Sequence, residues 1–316
     1  MPAGVGKLEC MTETGLTFGA GLGRHHTRDD VLTAARDAEA AGFDVLNAPD
    51  HLGNTAPFAI LAAAAAVTER IRLRTYVLNV YFWNSALLAR EVATLDALSG
   101  GRLELGLGAG HMKHEHEDAG VPFPPLAERW AELERVVVDV RRRLAAEDYR
   151  PAPVQRPVPL SIGAWSPASM RIAVRHAEII SLTGMVQAKG KPFGTFDLSE
   201  VDEVDRRLEK LHAALDSDRP AELGAPVLDC LLQQVVVDAD PEETAAALVA
   251  EYGEGYTVKA VLESPFMLFA ATPADAVAEL RRRRERWGIT SWCTHSASVP
   301  ALATVISAAR NAEFTA

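Results

Sequence analysis

The sequence predicts an α/β protein built as a (β/α)8 TIM barrel with an insertion between strands 6 and 7. Short apolar strands and amphipathic helices alternate about eight times, each pair at the spacing of one strand–helix unit. Such alternation indicates a parallel sheet, and eight units in 316 residues favour a closed barrel over an open doubly wound sheet. Barrels of this kind build their sites at the carboxyl ends of the strands, so candidate residues are sought there.

The elements follow one another in a regular order. Strands are predicted at 16–20, 43–48, 71–79, 103–107, 160–163, 179–182, 231–237 and 290–294. Helices are predicted at 28–41, 58–68, 85–98, 126–144, 166–176, from 240 onward, at 273–287 and at 300–311. Thr27 and Ser85 have the chemistry of helix N-caps, and Gly42 has that of a helix C-terminus.

The regular alternation is interrupted once. The segment at about 184–226 is long, polar and charged, with one helical stretch, so we expect an insertion of the kind that forms a lid or a binding loop. Residues 1–14 are polar and glycine-rich, which predicts a flexible N-terminal tail before a single domain at 15–316.

Composition narrows the class of protein. The net charge of −11 argues against a nucleic-acid surface and against an anionic membrane surface. No apolar run reaches membrane-spanning length, and the N-terminus lacks the apolar core of a signal peptide. The three cysteines have neither metal-ligand spacing nor a disulfide pattern. These features predict a reduced, cytoplasmic setting.

Two predicted strands end in histidine. The second strand runs into Asp50 and His51, and the fourth runs into Gly108, Gly110 and His111. An imidazole titrates near pH 6.5 and suits proton transfer, so His51, with Asp50 beside it and His111 opposite, is the leading catalytic candidate. A surface loop pair, or histidines that serve only as structural hydrogen-bonding groups, is the alternative.

Other strand ends favour a flat ligand. Aromatic side chains follow the third strand, and glycine ends the fifth strand at 163, just before Trp165. Glycine lets a ligand approach the backbone, and an aromatic ring can stack on it. Metal binding by the run 114–117 is the less favoured reading, because a charged run after a glycine loop is typical of a solvated helix start. We therefore predict no metal site. The glycines at 106, 108 and 110 have the wrong spacing for a dinucleotide fingerprint.

Several segments resemble one family. The stretch 38–44 with Asp50 and His51, the stretch 90–102 and the glycine-rich stretch 106–110 are similar to the bacterial luciferase-like oxidoreductase superfamily. The resemblance extends over nearly the whole chain, including 264–266 and the helix at 273–287. The Asp-His end of strand two resembles the branch that uses the deazaflavin coenzyme F420, whereas other branches use FMN.

The resemblance implies one flavin-type cofactor at the barrel mouth. His51 would lie near the reacting ring and Asp50 would orient it, and a non-prolyl cis peptide is expected at Tyr76–Val77. The phosphate of the cofactor would lie near the helix start at 163–166. The implied cofactor contacts are Tyr76, Val77, Leu78, Asn79, Gly108, Ala109, Gly110, Gly163, Ala164, Trp165 and Ser166. The implied substrate-pocket residues are Phe82, Trp83, Gly184 and Phe266.

The sequence departs from the family at two of these positions. His111 replaces the glutamate or tryptophan of many relatives, and Ala164 replaces a second glycine. The resulting prediction is an F420-dependent oxidoreductase that transfers a hydride between the deazaflavin and a small organic C=C, C=N or C=O substrate, with natural products and peptides among the candidates. We expect the protein to form a homodimer. The alternatives are an FMN-dependent luciferase-like monooxygenase and a cofactor-free binding protein on a relic barrel.

Overall fold

A computed structural model describes residues 15–23, 26–187, 196–252 and 256–311. The predicted tail at 1–14 lies outside the described residues. The strands are β1 (Thr17–Gly21), β2 (Val45–Ala48), β3 (Arg72–Thr75), β4 (Leu78–Asn79), β5 (Leu103–Gly108), β6 (Leu160–Gly163), β7 (Ile179–Leu182), β8 (Met185–Gln187), β9 (Phe196–Leu198), β10 (Val227–Leu232), β11 (Gln234–Val237), β12 (Met267–Ala270) and β13 (Ser291–Thr294).

The helices surround these strands. They are α1 (Arg28–Ala41), α2 (Pro57–Ala65), α3 (Ser85–Leu98), α4 (Lys113–Asp118), α5 (Leu126–Ala145), α6 (Pro167–His176), α7 (Val201–Asp218), α8 (Pro241–Tyr252), α9 (Val258–Glu263), α10 (Pro273–Trp287) and α11 (Val299–Asn311). The apolar faces of these helices, apart from α4, pack on the outside of the sheet in one continuous core.

The main sheet closes on itself, which confirms the predicted (β/α)8 barrel. Its strand order is β3-β2-β1-β13-β10-β7-β6-β5-β4, and a further pairing between β3 and β5 completes the ring. All of these pairings are parallel. Since β3 and β4 are two parts of one interrupted strand, the ring is an eight-stranded barrel. The carboxyl ends of all its strands therefore lie around one mouth.

Helix caps were largely predictable. Thr27 forms a capping box with Asp30, and Gly42 ends α1 with φ of 87°, as its freedom at positive φ allows. The prediction that Ser85 caps α3 is wrong: Asn84 is the cap, and its side chain accepts from the N–H groups of residues 86 and 87. Ser85 is the first, buried residue of the helix.

The predicted seventh strand, 231–237, is also wrong in its bounds. The barrel strand is β10, and the following β11 leaves the barrel to pair in parallel with β12 in a separate two-stranded sheet. Neither glycine nor proline separates the two strands, so the sequence contains no punctuation that would locate the turn near Gln233. Between β7 and β10, within the segment predicted as an insertion, lie the antiparallel pair β8–β9 and α7.

The third predicted strand is interrupted. It divides into β3 and β4 at Tyr76–Val77, and that peptide bond is cis, as expected. Below this point the hydroxyl of Tyr76 donates to Asp229 Oδ2 at 2.8 Å inside the barrel. The segment that carries Val77 is thus tied to the barrel interior.

Asp229 is the centre of an interior polar layer, which we define as Asp229 with its hydrogen-bonding and ion-pair partners. Its carboxylate accepts from Tyr76, Ser181, Ser291 and Cys293 and pairs with Arg74 at 3.1 Å. Burial alone would raise the pKa of Asp229, but Arg74 and these donors hold that pKa below its usual range. The layer joins four barrel strands, β3, β7, β10 and β13, beneath the mouth.

Candidate active site

The imidazole of His51 is held by a carboxylate that follows a different strand. Its Nδ1–H donates to Oε1 of Glu115 at 2.9 Å, and Glu115 lies on α4, after the end of β5. The Glu115 side chain is buried, whereas 39% of the His51 side chain is exposed. This contact fixes the ring orientation and leaves Nε2 as the ring nitrogen that has no hydrogen-bond partner among the described residues.

His111 faces the ring of His51. The two ring centroids are 5.5 Å apart and the rings are nearly perpendicular, at 89°. Although His111 keeps part of its surface exposed, the surrounding atoms desolvate it, and together with the nearby His51 they lower its pKa to about 4. His111 is therefore neutral near pH 7.

Asp50 was expected to orient His51, but its carboxylate contacts Asn79 and Trp83 instead. Its Oδ2 accepts from the backbone N–H of Asn79 at 3.1 Å and from the indole N–H of Trp83 at 2.9 Å. Burial raises the pKa of Asp50, and the two donors partly offset that effect. Among the described residues we find no hydrogen bond between Asp50 and His51, so the orienting carboxylate is Glu115.

A second buried pair lies beside the first. Asn79 Nδ2 donates to Nε2 of His116 at 2.8 Å, and the carbonyl of Pro122 lies 2.6 Å from Nδ1. Because a carbonyl only accepts, the proton is assigned to Nδ1 of His116. The φ of Gly110 is +72°, and a Cβ there would lie 2.5 Å from Asn79 Oδ1 and 2.6 Å from His116 Nε2. This packing requires glycine.

The prediction that 114–117 forms a solvated helix start is wrong for two of its residues. Glu115 and His116 are buried, while Lys113 and Glu117 pair on the outer face at 3.0 Å. Helix α4 has no apolar residue, so polar contacts hold it in place. That absence of apolar residues is the signal that could have identified the pair.

Glycines line the mouth around Val77. A Cβ on Gly108 would lie 2.7 Å from Val77 Cγ2, one on Gly163 would lie 3.7 Å from it, and one on Gly106 would meet the carbonyl of Thr75. Because these three glycines have no side chains, a backbone surface surrounds the half-buried side chain of Val77. Such a surface can receive a flat ring.

The aromatic residues that were predicted to line the pocket lie near this surface. The ring of Trp83 packs edge-on against Phe58 at 5.2 Å, and the ring of Phe82 lies 5.6 Å from that of His116. Both side chains are partly exposed. Their contacts therefore connect them with Asp50 and His116.

Trp165 is buried behind the mouth. Its indole N–H donates to Ser199 at 2.9 Å, and its ring lies 5.1 Å from that of Phe266. Phe266 is fully buried, and a Cβ on Gly184 would collide with its ring. The structure thus brings Gly184, Phe266 and Trp165 together, with Trp165 and Phe266 in the core.

The start of α6 is closed by its own serines. The N–H groups of Trp165 and Ser166 donate to Ser169 Oγ, and the N–H of Ser169 donates to Ser166 Oγ. The N–H of Ala164 donates to the carbonyl of Ser181. A phosphate at 163–166, as predicted, would have to compete with these internal bonds.

The opposite rim carries a polar group that the sequence analysis missed. Gln233 follows β10 and His295 follows β13, and Gln233 Oε1 lies 3.2 Å from His295 Nε2. Gln233 Nε2 donates to the carbonyl of Thr183 at 3.2 Å. The strand-end rule would have indicated Gln233 if the seventh strand had been assigned its true bounds.

No helix in the described ranges is long and apolar enough to cross a membrane. Within the same ranges no group of three or more histidines, cysteines or carboxylates is arranged to hold a metal ion.

The fold agrees with comparisons with known proteins. A family model described as luciferase-like monooxygenase matches residues 11–300, so the chain belongs to the luciferase-like monooxygenase family. Relatives with a named activity are oxidoreductases, and the chain is an enzyme of this oxidoreductase class.

Similarity to proteins with a named activity covers only part of the chain. An F420-dependent glucose-6-phosphate dehydrogenase of Intrasporangium calvum is 35% identical over 181 residues, which are 49% of this chain and 52% of that protein. The chain thus spans about half the length of this relative.

Two solved structures share the fold. An F420-dependent secondary alcohol dehydrogenase in complex with an F420-acetone adduct has a TM-score of 0.71 and 18% identity, over 93% of this chain and 99% of that one. A monooxygenase from Streptomyces bottropensis has a TM-score of 0.66 and 22% identity, over 93% and 97%.

Proposed function

We propose that the chain is an F420-dependent oxidoreductase that moves a hydride between the deazaflavin and a small organic molecule with a C=C, C=N or C=O group. The observation that carries the proposal is the His51–Glu115 pair at the mouth that also holds the glycine-lined surface around Val77. The names of relatives that use F420 support the choice of cofactor.

The residues fit a flat ring at this surface. Val77 would lie behind the ring, and the backbone of 76–79 and 108–110 would border it, since added Cβ atoms at Gly108 and Gly110 find no room. A deazaflavin bound there supplies the hydride donor or acceptor of the reaction. The glycine-lined end of β6 at Gly163 and Ala164 completes the border.

His51 handles the proton that must accompany the hydride. Glu115 holds Nδ1, so that Nε2 is the atom that gives up or takes the proton. The buried side chain of Glu115 also keeps the plane of the imidazole ring fixed while the proton moves. His111, neutral near pH 7, adds a hydrogen-bonding group without a competing charge.

Titration with F420 and with FMN tests the proposal. We expect F420 to bind, and His51→Gln to lower kcat about 100-fold while the Kd for F420 changes less than threefold, since a positioned acid–base group contributes about 10²–10⁴-fold. His114→Gln, which removes an exposed imidazole on α4, is the matched control and should retain the wild-type kcat.

Three other outcomes would contradict the proposal. Oxygen uptake with reduced FMN, without turnover of F420, would identify the FMN-dependent monooxygenase of the alternative reading. Binding of neither cofactor would favour a cofactor-free binding protein. Wild-type kcat in His51→Gln would remove His51 from the chemistry.

The chain functions as a homodimer in the cytoplasm. The support for a dimer is the exposure of large apolar side chains on the neighbouring helices α3 and α5, namely Leu87, Leu98, Leu126 and Val138, because apolar side chains that share a face favour association. Light scattering after size-exclusion chromatography distinguishes a dimer from a monomer of 34.0 kDa.

A further inference from the structure

The side-chain amide of Gln233 lies on the rim of the mouth opposite β3 and β4, and its orientation is fixed by its hydrogen bonds. The carbonyl of Thr183 only accepts, so the side-chain nitrogen of Gln233 must face it and Oε1 must face His295. Gln233 Nε2 carries two hydrogens and uses one of them for Thr183. For the other, the described residues provide no acceptor.

The backbone holds this amide firmly. The N–H of Gln233 donates to the carbonyl of Phe266 at 2.7 Å, and Phe266 packs against Gly184. On the other side, a Cβ on Gly21 would lie 2.7 Å from the carbonyl of Thr294, so glycine lets β1 approach the backbone just before His295. Gln233 is therefore positioned before any ligand arrives.

We propose that Gln233 binds the substrate, donating its second N–H to a neutral oxygen acceptor, and that the substrate is an uncharged carbonyl compound or the corresponding alcohol. This inference rests on the proposed function. Strands β2 and β10 are separated in the ring by β1 and β13, so Gln233 and His51 approach a ligand from different sides of the same mouth. A substrate between them is held at one rim and protonated from the other.

In the part of the chain that the structure describes, three cations of the loops and helices at the mouth already have partners, which favours a neutral substrate over a phosphate ester. Arg129 donates to the carbonyl of Gly110, Arg207 pairs with Glu203 at 2.6 Å, and Lys113 pairs with Glu117. A phosphate would have to break such contacts while lying near the buried carboxylate of Glu115. A neutral oxygen needs only the N–H that Gln233 offers.

In the reductive direction the atoms balance simply. The carbonyl carbon receives a hydride, the carbonyl oxygen receives one proton from His51, and an alcohol and the oxidised deazaflavin are formed. The oxidative direction is the reverse of this step.

The experiment uses the full chain with reduced F420 and three neutral probes: acetone, cyclohexanone and cyclohex-2-enone. Oxidised F420 with glucose 6-phosphate is the charged comparison. We expect turnover of at least one neutral probe and none of glucose 6-phosphate. Gln233→Leu and Gln233→Glu should raise KM about five- to tenfold, the loss expected for one hydrogen bond, with kcat within twofold.

Gln234→Leu, which changes the adjacent glutamine on β11, is the matched control and should keep the wild-type KM. The Kd for F420 is measured separately for each variant, and an unchanged Kd shows that the variant is folded. Turnover of glucose 6-phosphate, no turnover of any neutral probe, or equal KM values for the Gln233 and Gln234 variants would overturn the inference. If F420 binds normally in those cases, the proposed function stands without it; if F420 does not bind, both fall.

Discussion

Nδ1 of His51 lies 2.9 Å from Oε1 of Glu115, although the two residues are 64 positions apart in the sequence. The pair joins the end of β2 to the short helix after β5. It places a buried carboxylate behind a partly exposed imidazole, as the acid–base role proposed for His51 requires.

Replacing Glu115 by Gln should lower kcat about 10- to 100-fold, because a hydrogen bond to a charged group contributes about 1.5–3 kcal/mol. The amide keeps the shape of the side chain but removes its charge. Cofactor affinity, measured by titration, should change little. Glu117→Gln, on the outer face of the same helix, is the control, and an equal loss of kcat in both variants would contradict the role of Glu115.

Asp50 should tolerate an amide better than a methyl group. Burial raises the pKa of Asp50, which means that its charge is unfavourable there, and the Oδ1 of an asparagine can still accept from Asn79 and Trp83. Asp50→Asn should therefore unfold at nearly the wild-type urea concentration. Asp50→Ala leaves two donors without their acceptor and should cost about 1–3 kcal/mol. Equal losses in the two variants would count against this account.

His111 should make the folded protein less stable as the pH falls from about 6.5 to about 4. The folded protein keeps His111 neutral down to its lowered pKa of about 4, whereas the unfolded chain protonates it near 6.5. The unfolded state therefore binds more protons in this window, and stability is lost as the pH decreases. His111→Gln should flatten this part of the Tm–pH curve, measured by calorimetry, and His114→Gln should not.

Gly110 and Gly120 form a matched pair for testing the Asn79–His116 contact. Both have positive φ, 72° and 67°, but only at Gly110 would a Cβ collide with neighbouring atoms. Gly120→Ala should cost about 1–2 kcal/mol for backbone strain alone, and Gly110→Ala should cost more and lower cofactor affinity. Urea unfolding and F420 titration of both variants measure the difference; similar losses would show that strain explains both.

The fold and some residues of the candidate site could be predicted from the sequence. The alternation of strands and helices predicted the barrel, and the strand ends led to His51, Asp50 and His111 because parallel strands must end at one mouth. Glu115, His116 and Gln233 were missed. Their roles depend on contacts between distant segments. The composition of a six-residue charged helix can show that polar contacts hold it, but it does not show which residues supply those contacts. Likewise, two strands with no glycine or proline between them do not show where one strand leaves the barrel.

The interior polar layer has a consequence for enzyme engineering. Because Asp229 collects hydrogen bonds and an ion pair from several barrel strands, the framework beneath the pocket does not depend on the loops above it. Libraries that randomise the exposed side chains of the rim while leaving Gly110 and residues 74, 76, 181, 229, 291 and 293 unchanged should therefore yield mostly folded variants, so that new specificities can be selected without a parallel search for compensating mutations.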